Sequence, residues 1–510
     1  MFPEFRASVI AFWMGLMGND QCTTRREALN TLCDTRFDVL IIGGGIVGAG
    51  IARDAALRGL RTALVEQHDF ASGTSSRSSR LLHGGLRYLA QGRIGLVREA
   101  GVEKTIVHRI ASHIAAPLAF MFPTYRTPPW GEWALWKLSV GVRIYDLLSG
   151  KRSFRPSRTL GAAEVRQTLP DLNPQGLTGA VRYYDGLTND ARLVIDNLRS
   201  ADHAGAVPLN YCRMEQSERD SEAWTCSIRD QLTGDSITVT TRCVVNATGP
   251  WADRIAHSAV RLRPTKGVHL VVKRDRLPVP DAVVMTEDSR ILFAIPWGER
   301  VILGTTDKDY GGPPEDVSVE AADIDYVLAA VNRAFPDARL TERDLISTWA
   351  GVRPLIAARG GGPSDISRSH EIRSPEPGWY DVAGGKLTTY RLMAEQAANR
   401  IEAYLGRPVS KCMTAEQPLL PSDEVEGASA IVPLEPSRKL VEHFCRSEWA
   451  VHLDDVMIRR GGWAHYVEDQ VELAARVAGW MAEVLDWDSA RESDELNRYL
   501  ASCNSLTLGT

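Results

Sequence analysis

The eight cysteines of this 510-residue chain (Cys22, Cys33, Cys212, Cys226, Cys243, Cys412, Cys445 and Cys503) form no CxxC pair and have no histidine at the close spacing zinc sites use. That argues against a cysteine-built metal centre and leaves reduced, mostly structural thiols, as expected in a cytoplasmic protein. His108 and His113 are five residues apart, off a common helix face, so an ordinary structural role is favoured over a metal site. Charge of one sign is also scarce. A formal net charge of −5 gives no general pull toward nucleic acid, and any bound phosphate must be held locally. Long hydrophobic runs are missing too. "ASVIAFWMGLMG" near the N-terminus falls short of the roughly 20 residues that span a bilayer, and no small-residue cleavage site follows it. A short interfacial anchor, or a chain that starts at Met14 or Met17, are both readings of that stretch.

What remains is a composition, 44% hydrophobic and 24% charged, that suits a folded globular protein, on a length that calls for two or three domains. The first clear pattern opens at Phe37. An apolar strand (Val39 to Ile42), a glycine turn, a helix from about Val47 to Arg58 and a second strand (Thr62 to Val65) spell a βαβ unit. Gly43, Gly45 and Gly48 satisfy G-x-G-x-x-G: the first turns tightly, the second lets the backbone approach a pyrophosphate, and the third lets the helix pack on the sheet. Glu66 ends the second strand, where a carboxylate accepts hydrogen bonds from an adenosine ribose and disfavours a 2′-phosphate. Together these residues predict a bound dinucleotide held through its ADP half.

Two later segments, "CVVNATGPWAD" (243–253) and "WYDVAGGKLTTYR" (379–391), again run an apolar strand into small residues at a helix start. Between them, short β-rich runs over 267–307 predict an antiparallel sheet, and Ile324, Val327, Leu328, Val331 and Phe335 predict an amphipathic helix that closes it. Beyond residue 411 the chain turns polar and turn-rich. Val467, Val471, Ala474, Ala478, Met481 and Leu485 then recur at helical spacing. The expected organisation is an extension over 1–36, a nucleotide-binding domain over 37–410 with an interleaved substrate domain (about 111–181 and 262–345), and a helical domain over 411–510.

NAD and FAD share the glycine fingerprint. The loop "SGTSSRSSRLLHGGLRYL" (72–89), too polar for core, and the two further glycine turns suit the longer cofactor, FAD. These motifs, with "KGVHLVV", "GTTD", "GVRPL" and "GGKLTTYR", occur in the order and at about the spacing of the FAD-dependent, quinone-linked glycerol-3-phosphate dehydrogenases, which the chain resembles closely over 37–400 and more loosely through "EWAVHLDDVMIRRGGW" (448–463). One departure is Arg80, where the family often has Lys beside the flavin. The resemblance implies an α/β fold: a Rossmann-like FAD-binding domain with an inserted mixed or antiparallel-sheet substrate domain and a C-terminal helical domain.

It also implies an activity: oxidation of sn-glycerol 3-phosphate at C2 to dihydroxyacetone phosphate, with hydride passing to flavin N5 and electrons then to membrane quinone. The protein would sit peripherally on the cytoplasmic face of the cell membrane, and a homodimer stays open. Positions matching the family's substrate pocket are Arg87, Tyr88, Arg353, Arg368 and Lys386. His269 is the first choice of base and His83 the second, while Arg353 could instead polarise the reacting oxygen. Thr306 and Asp307 would shape the pocket. Ser75, Ser79, His83 and Gly84 would line the pyrophosphate and ring, and Ala247, Gly249, Gly384, Gly385, Lys386 and Thr388 the ribityl or pyrimidine side. Trp130, Trp133 and Trp136, with Lys137 and Arg143, suit a headgroup boundary, although a buried helix is an equal reading. The rivals are an oxidase that passes electrons to oxygen and a flavin-containing binding or regulatory protein without turnover.

Overall fold

Two large sheets carry the chain in a computed structural model, which describes residues 24–90, 92–126, 134–148, 154–287, 290–357, 370–420 and 428–504. Strand Arg36–Ile42 lies at the centre of the first sheet because six of its seven residues are buried, a run that only a strand covered on both faces can use. It pairs in parallel with Thr62–Val65 on one side and Ser236–Asn246 on the other, and Trp379–Gly384 extends the sheet in the same direction. Helix Ile46–Leu57 packs between helices Asp190–His203 and Tyr390–Tyr404 on one face.

The second sheet is mixed. Thr265–Lys273, Arg300–Gly304, Arg290–Trp297 and Ala282–Glu287 are antiparallel, as the 267–307 pattern predicts, and a parallel pairing then joins them to Ala115–Tyr125. Along Thr265–Lys273, Val268, Leu270 and Val272 join the core beneath helix Ala321–Ala334, while Val271 joins the opposite core. The period of two therefore turns Gly267 and His269 away from that helix, toward the cleft between the sheets.

The C-terminal region is helical, with Arg438–Ser447, Gln470–Leu485 and Ser489–Asn504 around one core. Its stripe is the expected one except at Val471. Asp469 caps the second of these helices by accepting from the Glu472 amide at 3.2 Å, and the buried face runs through Leu473, Ala474, Val477, Ala478 and Met481, with Val471 turned outward. Buried ion pairs tie this region to the first sheet: Arg460 grips Asp69 at 2.7 and 3.0 Å, and Arg192 reaches Glu448 at 2.6 Å.

Helix Leu135–Leu148 is apolar on two faces. Leu138, Val142 and Tyr145 are buried, while Trp136, Val140, Ile144 and Leu147 form an outward stripe in which Trp136 is 67% exposed. Trp130 and Trp133 lie outside the described residues. No described helix is long and apolar enough to cross a membrane.

Candidate active site

The carboxyl ends of the first sheet's parallel strands open onto a cavity of about 730 Å³, the place where open α/β sheets take ligands. Backbone makes its floor. A Cβ on Gly48 would fall 1.9 Å from the Gly43 carbonyl oxygen, and one on Gly43, whose φ is +108°, would fall 2.6 Å from that of Ala247. Only glycine permits either approach. Gly45 caps helix Ile46–Leu57, and the Ser75 hydroxyl accepts from the Ile46 amide at 3.0 Å. Glu66 stands on the wall, its two carboxylate oxygens accepting from the amides of Gly44 at 2.7 Å and His68 at 2.9 Å. Burial raises its carboxyl above the ordinary value, against the pull of those amides. Each oxygen keeps a further acceptor position for a ribose hydroxyl. Ala247, Gly249, Gly384, Gly385 and Lys386 complete the same wall, so the residues present fit the extended dinucleotide the glycines predict.

A second cavity, about 580 Å³, adjoins the first through Ile46, Thr74, Ser75, Gly385 and Lys386. Here side chains make the chemistry. Strand Leu345–Arg353 pairs antiparallel with Thr265–Lys273, setting Arg353 opposite Thr265 and Trp349 opposite His269. The Arg353 guanidinium donates to Thr305 Oγ1 at 2.9 Å and pairs with Asp307 at 3.2 Å, which fixes its direction. Thr306 Oγ1 accepts from the Val268 amide at 3.0 Å. His269 is buried, stacked on Trp349 with ring centroids 5.1 Å apart, and its Nε2 lies 2.7 Å from Ser79 Oγ. Burial, with the charges of Arg353 and Arg80, drives its pKa down to about 3. The imidazole is therefore neutral across the physiological range. With its proton on Nδ1, Nε2 accepts from the serine hydroxyl.

Lys386 Nζ sits 3.9 Å from the centre of the Tyr88 ring, a cation held on an aromatic face at the cavity's edge. His83 lines the same cavity, its amide donating to Thr388 Oγ1 at 3.0 Å.

Gly48 packs the helix on the sheet, as its place in the fingerprint predicts, and lines neither cavity. Two expected contacts fall elsewhere. The Gly84 amide donates to the Tyr145 hydroxyl at 2.8 Å, behind the wall, because that ring fills the space a side chain would need. Arg80 is buried over Trp297, 4.1 Å from the ring centre, and lines neither cavity. Arg87 belongs to helix Leu86–Ala90, but its side chain, and the whole of Arg368, lie outside the described residues.

Sequence reasoning missed the far wall. Phe120, Phe122, Val284, Ile291 and Phe293 make it apolar, and Asp185 is buried there with Lys104 at 2.7 Å and the Tyr145 hydroxyl at 2.6 Å. Strand alternation marks these residues as core and gives no sign that they border a cavity.

With this geometry in place, the family described as FAD dependent oxidoreductase matches residues 38–400. Aerobic glycerol-3-phosphate dehydrogenases of Staphylococcus saprophyticus and Staphylococcus aureus are 38% and 39% identical over 406 residues, covering 77% of this chain and 72% of theirs. The glycerol-3-phosphate dehydrogenase of Bacillus halodurans, solved with FAD, superposes with a TM-score of 0.75 at 27% identity, over 96% of this chain and 98% of its own. An L-α-glycerophosphate oxidase from Mycoplasma pneumoniae, with FAD bound, shares the fold at 16% identity, with a TM-score of 0.60 over 74% of this chain and 96% of its own.

Proposed function

The chain belongs to the FAD-dependent glycerol-3-phosphate dehydrogenases, with FAD as its cofactor, and from that premise we propose that it oxidises sn-glycerol 3-phosphate to dihydroxyacetone phosphate and passes the electrons to a membrane quinone. FAD supplies the two-electron acceptor for the C2 hydride. One observation carries the reading: His269, Arg353 and Lys386 share a cavity that adjoins the glycine cradle.

Each requirement of the reaction has a side chain. Lys386, with Tyr88 beneath it, supplies charge for the substrate phosphate, and the guanidinium of Arg353 presents a planar fork suited to phosphate or to the oxygen on C2. Ser79 Oγ, whose hydroxyl donates to His269 Nε2, takes the substrate hydroxyl proton as the hydride leaves and passes its own proton to Nε2, so the proton ends on His269. Burial keeps the ring unprotonated and also weakens it as a base. A cation formed there is short-lived beside Arg353 and Arg80. The apolar wall of Phe120, Phe122 and Phe293 excludes water from the other side of the cavity. The residue assignments and the domain division over 37–410 and 411–510 are part of this proposal.

The quinone reading draws support from helix Leu135–Leu148. Its outward stripe of Trp136, Val140, Ile144 and Leu147 suits a lipid boundary, and on its inner face Tyr145 touches Gly84 and Asp185 at the cavity wall. Docking on the cytoplasmic face through this stripe would place the cavity close to the bilayer. The experiment is turnover with sn-glycerol 3-phosphate and a soluble quinone analogue, with and without oxygen. Quinone reduction in the absence of oxygen supports the dehydrogenase. Oxygen consumption without quinone reduction overturns it in favour of an oxidase, and flavin that turns over with neither acceptor supports a binding protein.

A further inference from the structure

A third cavity, about 240 Å³, lies where the loop His68–Arg77, the end of strand Leu345–Arg353 and the C-terminal region meet. It borders the first cavity through His68, Ser72 and Gly73 and the second through Arg77, while Thr74 lines all three. Three arginines face it. Arg459 and Arg498 are committed: Arg459 to Asp69, to Asp454 at 2.6 Å and to Asp455 at 2.5 Å, and Arg498 to Asp454 and to Glu495 at 3.3 Å. The remaining acid on the wall, Glu315, accepts from Trp251 Nε1 at 3.0 Å and sits 3.8 Å from Arg254. Arg77 is different.

Its guanidinium makes no hydrogen bond and no ion pair among the described residues, although arginine keeps its charge in any protein environment. Backbone fixes it there, since a Cβ on Gly351 would come 2.9 Å from Arg77 Cβ, so the strand presses against the base of the side chain. Burial and the neighbouring Arg459 charge lower its pKa, the signature of a cation whose counter-charge is missing. His68, on the same wall, is pushed toward its neutral form by burial and by Arg459, so it does not compete for an anion as a second fixed charge. A half-buried guanidinium facing a cavity without an anion is poorly compensated, and a guanidinium fork matches tetrahedral oxyanions.

We propose that this chamber is a binding site for a small tetrahedral oxyanion, of the class of inorganic phosphate or the phosphate group of a small ester, gripped by Arg77 with the Arg459 and Arg498 charges behind it. The volume holds such an anion with a few waters, taking roughly 30 Å³ for each water. Because Arg459 and Arg498 come from the C-terminal region and Arg77 from the cofactor loop, the bound anion ties the two together. The inference stands independently of the proposed oxidation.

The test uses the full chain loaded with FAD and inorganic phosphate as the probe, at constant ionic strength with chloride as the balancing ion. Arg353→Ala serves as the parent, so that phosphate in the substrate cavity does not mask the signal. The expected result is one phosphate bound per chain in this parent and a thermal midpoint that rises with phosphate. Adding Arg77→Gln weakens binding at least tenfold, Arg77→Lys restores most of it, and Arg498→Gln, at a half-exposed position, weakens it a few-fold. Dihydroxyacetone phosphate binding tenfold tighter than phosphate in the parent, and losing that advantage with Arg77→Gln, identifies an ester as the occupant; equal affinity identifies the free anion. A parent that binds no phosphate, or binding unchanged by both Arg77→Gln and Arg498→Gln, overturns the proposal.

Discussion

The two adjoining cavities are built by opposite means. The dinucleotide end is made of backbone: glycines that admit close approach, a helix N-terminus, and amides that orient Glu66. The end proposed for the substrate is made of side chains delivered by strands far apart in sequence, with His269 and Arg353 brought to neighbouring strands by antiparallel pairing. Damage to the first should therefore cost the cofactor, whereas damage to the second should cost chemistry and leave the cofactor in place.

Gly48→Val makes the sharpest break, because its side chain would need space that the Gly43 carbonyl occupies. The purified variant is expected to lack the flavin absorbance band altogether, or to fail to accumulate as folded protein. Arg353→Ala is the counterpart. It should keep its FAD while flavin reduction by glycerol 3-phosphate falls roughly a thousandfold, in line with the ~2–5 kcal/mol lost when one partner of a desolvated charge contact is truncated. Loss of FAD in this variant would erase the distinction between the two cavities. His269→Asn should retain FAD and slow single-turnover reduction by about 10²–10⁴, the usual worth of a general base. At saturating substrate the wild-type reduction rate should show no ionisation near 6.5, since His269 is neutral down to about 3.

Behind the wall, Tyr145→Phe removes the hydroxyl that accepts from Gly84 and donates to Asp185, and is expected to lower stability by about 1–3 kcal/mol in denaturant titration with little change in FAD content. A further effect is on acid stability. His269 and His465 both fall to about 3 on burial, so the unfolded chain binds more protons than the folded one between their unfolded value near 6.5 and about 3. Their contribution is complete above pH 6.5 and is lost as pH falls through that window. His465→Gln should flatten the acid-side slope of the denaturation midpoint.

Legibility in the sequence followed the same division. Where backbone makes the site, residue type is a direct reading of geometry: Gly43 and Gly48 announce a close approach, and Glu66 after the second strand announces its partner. The 267–307 strands and the 321–335 helix were equally plain, because burial imposes a period. Val471 misled because apolarity alone did not reveal that the buried face runs through Leu473, Ala474 and Val477. In the second cavity, nothing in the spacing of 269 and 353 brings them together, and the resemblance singled out the pair. Gly84 and Arg80 showed the converse failure. Both lie in the loop that approaches the cofactor, yet local packing against Tyr145 and Trp297 turns them away from either cavity. Phe120, Phe122 and Asp185 were invisible, since a cavity wall and a core follow the same alternation.

The most direct test of the central claim is an anaerobic visible spectrum of the FAD-loaded protein before and after adding sn-glycerol 3-phosphate, with free glycerol as the control. The phosphate ester is expected to bleach the oxidised flavin band, and glycerol to leave it unchanged. A band that persists with the ester, or that glycerol bleaches equally well, would contradict the central claim.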